Sequence, residues 1–224
     1  MNEKLKILIK SYSTHFRQRD FLISFFASLA MITFALIINF YAGTYATLKA
    51  SNSVTDLVLN NIRAFAVNGL FVEGTFYFFI FSIIICLLYI KRFPFIFKSV
   101  SLFIVVRAFF INLTHIAPFP SQIFISPLDM ISKFSFAGDL FFSGHTGIPF
   151  LLALIFWDIK PLRFIFLGSS VFFATVVLLG HLHYSIDVFS AFFITYTLYH
   201  ISKILFKKDL NLFENDIYIE VFDK

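Results

Sequence analysis

Apolar residues in this chain come in long blocks instead of alternating with polar ones. The blocks lie near 21–42, 70–90, 99–117, 146–157 with Leu140, Phe141 and Phe142 upstream, 162–180 and 184–206. Crossing a hydrocarbon core of roughly 30 Å takes about 20 mostly apolar residues, so each block predicts a spanning helix. The fold class expected is all-α, a six-transmembrane-helix bundle. The fourth block is the weakest, because Ser143, Gly144, His145, Thr146 and Pro149 crowd its start. Proline is tolerated in a first helical turn, which predicts a helix beginning near this motif. Polar flanks divide the chain into a basic tail over 1–20, a membrane domain over 21–206 and a second tail over 207–224. That second tail has no clear period and is expected to be a short appendage.

An even number of spans puts both termini on one side. Lys4, Lys6, Lys10, Arg17 and Arg19, then Lys91, Arg92 and Lys98, then Lys160 and Arg163, then the four basic residues of the C-terminal end all fall on that side. The other side collects Lys49, Arg63 and Lys133, with Arg107 left inside a span. The positive-inside rule predicts cytoplasmic termini, with 43–69, 118–145 and 181–183 on the periplasmic or exoplasmic face. The run from Phe21 is span-length with no small-residue cleavage pattern behind it, so it reads as a first span and not a cleaved signal.

Composition removes several function classes. With 59% hydrophobic residues, 36 Phe and 14% charged residues in 224, the chain is expected to be an integral membrane protein with no separate soluble domain. The net charge of +5 sits beside apolar spans and not in a soluble patch, which favours anionic lipid and argues against nucleic acid. Cys86 is the single cysteine, so no intrachain disulfide can form. His15 and His200 read as interfacial anchors. No metal or cofactor is called for.

Ionisable groups at membrane depth cost a few kcal/mol each, so they usually face a cavity or one another. On the expected topology, Glu73, Arg107, His145, His183 and Asp187 come from four spans to similar depth. His183 and Asp187 are four apart, a spacing that on a helix puts both side chains on one face. A carboxylate on one imidazole nitrogen fixes the tautomer and leaves the other nitrogen bare to attack phosphorus. His145, from another helix, can protonate the departing alcohol. Backbone N–H groups around Ser143 and Gly144 can donate to phosphoryl oxygens, and Arg107 can add a bidentate contact. Glu73 suits either Arg107 or a quaternary ammonium. Asp139, His181 and Tyr184 complete the candidate substrate contacts.

The segment Gly138-Asp139-Leu140-Phe141-Phe142-Ser143-Gly144-His145-Thr146 and the segment His181-Leu182-His183-Tyr184-Ser185-Ile186-Asp187-Val188 resemble the two signature motifs of the sphingomyelin synthases, a family of the type 2 phosphatidic acid phosphatase (PAP2) superfamily. Arg107 with Thr114, Pro118 and Pro120, and Glu73-Gly74, are similar to further family positions. The likeness covers roughly residues 50–205. It implies His145, His183 and Asp187 as a catalytic triad, with a phosphoryl-histidine at His183. It also implies metal-free transfer of phosphocholine or phosphoethanolamine from a glycerophospholipid to a lipid alcohol such as ceramide or diacylglycerol. Ser53-Val54-Thr55-Asp56 stands where the family has a proline-rich motif ending in Asp. The Lys-x6-Arg-Pro motif of the superfamily's lipid phosphatases is absent, and Val177 stands where they carry an Arg six residues before the histidine. A phosphate monoester benefits from such extra cations more than a diester, so a phosphodiester substrate is favoured.

Two rivals remain at this level. A lipid phosphate phosphatase or phospholipase C-like hydrolase would use the same residues. A catalytically silent carrier or scaffold would keep only the fold. Membrane phospholipid and lipid-alcohol substrates are the partners expected, and a homo-oligomer is allowed.

Overall fold

The computed structural model describes residues 3–123, 138 and 140–214. These residues form only helices and loops. In order they are α1 (Glu3–His15), α2 (Arg19–Lys49), α3 (Asn68–Leu88), a 3₁₀ turn (Ile90–Arg92) running into α4 (Phe93–Ile111), α5 (Gly144–Ile155), α6 (Lys160–Leu179), α7 (Ser185–Leu205) and α8 (Lys207–Glu214). Five of them, α2, α3, α4 with its 3₁₀ lead-in, α6 and α7, are long and apolar enough to cross a membrane. The chain is an integral membrane protein on that ground. Their outward faces carry Phe34, Phe40, Phe79, Phe193 and Ile204, all more than half exposed, as expected of surfaces that lipid covers.

The fourth block differs from the rest. Its helix has 12 residues, about 18 Å at 1.5 Å per residue, and is too short to span alone. It is also the most enclosed, with Leu151, Leu152, Ala153, Leu154 and Ile155 all buried. Pro149 lies inside this helix and not in its first turn, because the helix already begins at Gly144. Lacking an N–H, Pro149 leaves the His145 carbonyl without its helical donor.

Two other expectations shift. The third apolar block predicts a span over 99–117, but α4 occupies Phe93–Ile111, with Pro94 in its first turn, and 112–117 form loop. The C-terminal stretch is no bare appendage, since its first eight residues form α8. There Lys98 donates to Ser24 and to Asp209, each at 2.7 Å, and Ser24 Oγ also bonds Asp209, tying α8 to α2 and α4.

The helices run antiparallel in alternation. One end gathers the C-termini of α2, α4 and α6 with the N-termini of α3, α5 and α7, and the opposite end holds α1 and α8. A core of Phe21, Phe95, Phe103, Phe142, Phe156 and Phe166 fills the bundle's length. Gly147 allows α5 to approach α4 and α7 closely. A Cβ there would lie 2.6 Å from Phe103 ring atoms and 2.8 Å from Thr195 Oγ1.

Candidate active site

The end of the bundle with the α5 and α7 N-termini brings together three of the sequence's candidate residues. The rings of His145 and His183 lie 6.5 Å apart between centroids, tilted by 55°. His183 Nδ1 is 3.2 Å from Asp187 Oδ2, and both residues are buried. A backbone bond draws the two motifs together, for Ser143 N donates to the Asp187 carbonyl at 3.0 Å. Ser143 caps α5, its Oγ accepting from Thr146 N at 3.4 Å.

His183 and Asp187 meet as their spacing predicts, but not as two residues of one helix. Helix α7 begins at Ser185, so His183 precedes it, and Tyr184 between them is extended (φ −67°, ψ 157°). Asp187 reaches back over the helix start, accepting from Tyr184 N at 3.1 Å with the same Oδ2 that meets the imidazole. The contact is therefore a helix N-terminal arrangement and not two side chains on one helical face. Asp187 Oδ1 is buried with no hydrogen-bond partner among the described residues.

Arg107, in the last turns of α4, is buried and donates from Nε to the Phe142 carbonyl at 2.9 Å. Phe142 holds a positive φ of 22°, an uncommon conformation for a side chain of its size, one residue before the α5 cap. Arg107 Nε would be 3.6 Å from a Cβ at Gly144, so the guanidinium lies directly under the turn that presents His145. The guanidinium is close enough to act electrostatically on both His145 and Asp187.

The other candidates divide. Glu73 is exposed on α3, and the neighbouring Gly74 faces Phe172 and Phe173 instead. Its helix reaches the site through Phe71, whose ring stands 4.6 Å from that of His145. His181 is buried at a positive φ of 52°, its Nδ1 2.6 Å from Ser121 Oγ, and burial pushes its pKa down. Tyr184 is buried, its hydroxyl donating to the Ala117 carbonyl at 2.9 Å and accepting from Val54 N at 3.2 Å. Asp139 lies outside the described residues. Among those residues no group of three metal-ligating side chains occurs.

Sequence reasoning gave Asp56 no firm place, yet it is buried and bonded to the start of α7. Desolvation raises its pKa, but amide bonds from Leu59, Ser185 and Val58 and the Ser185 hydroxyl outweigh this and hold it below the usual carboxylate range. The signal that could have found it was the Asp-Leu-Val-Leu run, in which a short acidic side chain can turn back onto amides two and three residues ahead.

Residues 137–204 match a family model described as PAP2 superfamily C-terminal. The matched stretch holds both histidine motifs, and it supports membership of the PAP2 superfamily, whose members are generally phosphatases or phosphotransferases. No curated protein and no solved structure matches the chain.

Proposed function

We propose that this protein is a membrane phosphotransferase. It moves a phosphoryl headgroup, phosphocholine or phosphoethanolamine, from a glycerophospholipid to a lipid alcohol such as ceramide or diacylglycerol. The observation that carries the proposal is the spacing of two imidazoles, one backed by a carboxylate, about one phosphoryl group apart. That is the arrangement a two-step displacement needs, with one nitrogen to attack phosphorus and one to manage the proton on the other side.

In the first step the His183 nitrogen turned away from Asp187 attacks phosphorus, forming an N–P bond. The P–O bond to diacylglycerol breaks, and His145 gives the leaving oxygen a proton. In the second step His145 takes the proton of the acceptor hydroxyl, whose oxygen attacks phosphorus and breaks the N–P bond. Asp187 holds the imidazole orientation throughout and balances the charge on the phosphorylated ring. Ser143 caps α5 with its own N–H held by the Asp187 carbonyl, and the next backbone N–H groups, at Gly144 and His145, with the Arg107 charge behind them, stabilise the phosphoryl oxygens. Glu73, Asp139 and His181 are proposed as headgroup contacts, whereas Tyr184, buried with its hydroxyl held by the Ala117 carbonyl and Val54 N, supports the loop behind them. The distribution of basic residues supports placing this end of the bundle on the periplasmic or exoplasmic face, with the termini cytoplasmic.

The absence of an Arg six residues before His183 favours a phosphodiester over a phosphate monoester. The test uses purified protein with headgroup-labelled phosphatidylcholine or phosphatidylethanolamine, with and without ceramide or diacylglycerol. Label passing to a new lipid, abolished by His183→Ala, is the expected result. Release of free phosphocholine or phosphate in its place would make the protein a hydrolase. Diacylglycerol release unaffected by His183→Ala would overturn the catalytic reading altogether.

A further inference from the structure

Among the described residues, one carboxylate at the histidine end that this chemistry leaves unused is that of Asp56, in the loop between α2 and α3. It is 7% exposed. An ionised carboxylate offers about four lone-pair sites, and here four donors occupy them. Oδ1 accepts from Val58 N at 2.8 Å and Leu59 N at 3.0 Å, which closes its own turn. Oδ2 accepts from Ser185 N at 2.7 Å and Ser185 Oγ at 2.9 Å. Ser185 is the first residue of α7, and the N-cap residue, Tyr184, makes no side-chain cap of its own. Asp56 thus caps α7 from a distant loop, where the helix's amide dipoles favour a negative charge.

The position of that bond matters more than its strength. Ser185 stands between His183 and Asp187, and the extended Tyr184 links the histidine to the helix. The Asp187 carboxylate belongs to α7, whereas the His183 ring hangs from the strand-like residue before it. Their 3.2 Å contact therefore depends on the orientation of the 184–185 peptide, which is the peptide whose N–H Asp56 holds. The phenol of Tyr184 is fixed by Val54 N and the Ala117 carbonyl, so the same loop grips both residues of the joint.

We propose that Asp56 is a positioning residue that sets the His183–Asp187 pair by pinning Ser185; this rests on the reading of His183 as nucleophile. With all four acceptor sites occupied, Asp56 has neither a lone pair for substrate nor a proton to trade. Its effect passes through the geometry of the pair.

Two variants test this in the full-length protein. Asp56→Asn keeps the shape but cannot accept from Ser185 while also serving Val58 and Leu59. Ser185→Pro removes both bonds to Oδ2 without changing charge, at the helix position where proline is tolerated and after a residue already extended as a pre-proline residue must be. If the pair is displaced by about 1 Å, kcat for diacylglycerol release from phosphatidylcholine falls by up to about 100-fold. KM should stay within about twofold, since binding in ground and transition states is not what is lost. Independently of turnover, the rate at which diethyl pyrocarbonate modifies His183, measured by mass spectrometry against His200 in the same molecules, should fall severalfold in both variants.

Unchanged kcat, a rise in KM alone, or an unchanged His183 rate in folded protein would each overturn the proposal and leave Asp56 a loop cap. If Asp56→Asn does not fold, Ser185→Pro decides. Should the wild-type protein release no diacylglycerol, the functional reading fails by itself, and the His183 modification rates still decide the role of Asp56.

Discussion

At the end of the bundle away from the histidines, helices are fastened to one another by charged side chains. Lys98 joins α4 to Asp209 of α8 and Ser24 of α2, and Arg92 binds Asp158 and the Ile155 carbonyl while lying 5.3 Å over the Phe156 ring. At the histidine end, loops are joined mainly through backbone groups. Ser51 N donates to the His115 carbonyl, Ala117 N to Asn52, Phe65 N to Leu179, Ile123 N to Gly180 and Ser143 N to Asp187. Backbone bonds fix loop positions without adding charge. Buried groups are screened less than exposed ones, so His183, Asp187, Asp56 and Arg107, all buried, weigh most in the field at this end. Where no ligand needs to enter, ion pairs can be used as fasteners.

That contrast can be broken from either side, and the largest effect is expected at the histidines. On the proposed mechanism, in which His183 is the nucleophile, His183→Ala should lower headgroup turnover about 10⁴-fold or more, while leaving the unfolding midpoint in detergent near that of the wild type. A fastener at the other end should show the opposite pattern. Lys98→Met leaves Asp209 without its cation, with the two side chains only 12% and 6% exposed, and should cost about 3–5 kcal/mol of stability. Turnover per folded molecule should stay close to wild type. If Lys98→Met abolishes turnover in protein that remains folded, the two ends are coupled and do not act separately.

The packing between the ends is sharpened by Gly147→Ala. The added methyl meets the Phe103 ring at 2.6 Å, and the overpacking should cost about 1–3 kcal/mol, seen as a lowered thermal midpoint. Because α5 carries His145, some loss of activity should accompany it. A midpoint equal to wild type would mean that α5 slides freely against α4.

The smallest effect expected is a pH dependence. Asp56 has its pKa lowered in the fold by the amides and hydroxyl it accepts from, against the opposing effect of desolvation. Asp158 is lowered by the Arg92 hydrogen bond and charge, again against desolvation. A carboxylate whose folded pKa is depressed contributes stability that is present above its unfolded value, near about 3.9, and is lost as pH falls through the folded value. Acid unfolding curves should therefore flatten below pH about 4 in Asp56→Asn. Asp158→Asn should flatten less, because its side chain is 61% exposed and water screens the pair. Equal flattening in the two variants would show that the buried cap is no stronger than the surface ion pair.

Much of the fold could be read locally because hydrocarbon imposes a local demand. A spanning helix must be apolar over its own length, so the blocks at 21–42, 70–90 and 99–117 announce α2, α3 and α4, although α2 runs seven residues further, to Lys49, and α4 lies six residues earlier, over Phe93–Ile111. His145, His183 and Asp187 were legible for a related reason, since titratable groups at the ends of apolar blocks have few ordinary explanations. The short α5 was harder. Its 12 residues gain their place from burial among neighbouring helices, which the chain's own hydropathy does not record.

What the sequence determined by itself is a membrane bundle of apolar helices with two histidine motifs at one level, because solvent sorts residues by composition and period alone. Only the tertiary structure decided how His183 meets Asp187, that Arg107 lies beneath the Phe142 turn, and that Asp56 caps a helix 129 residues away. Two of these contacts end on a backbone group, the Phe142 carbonyl and the Ser185 N–H, of a kind that every residue but proline carries alike, and the third depends on the backbone turn at Tyr184. Their pairing follows from where loops cross in space, and residue identity says little about it.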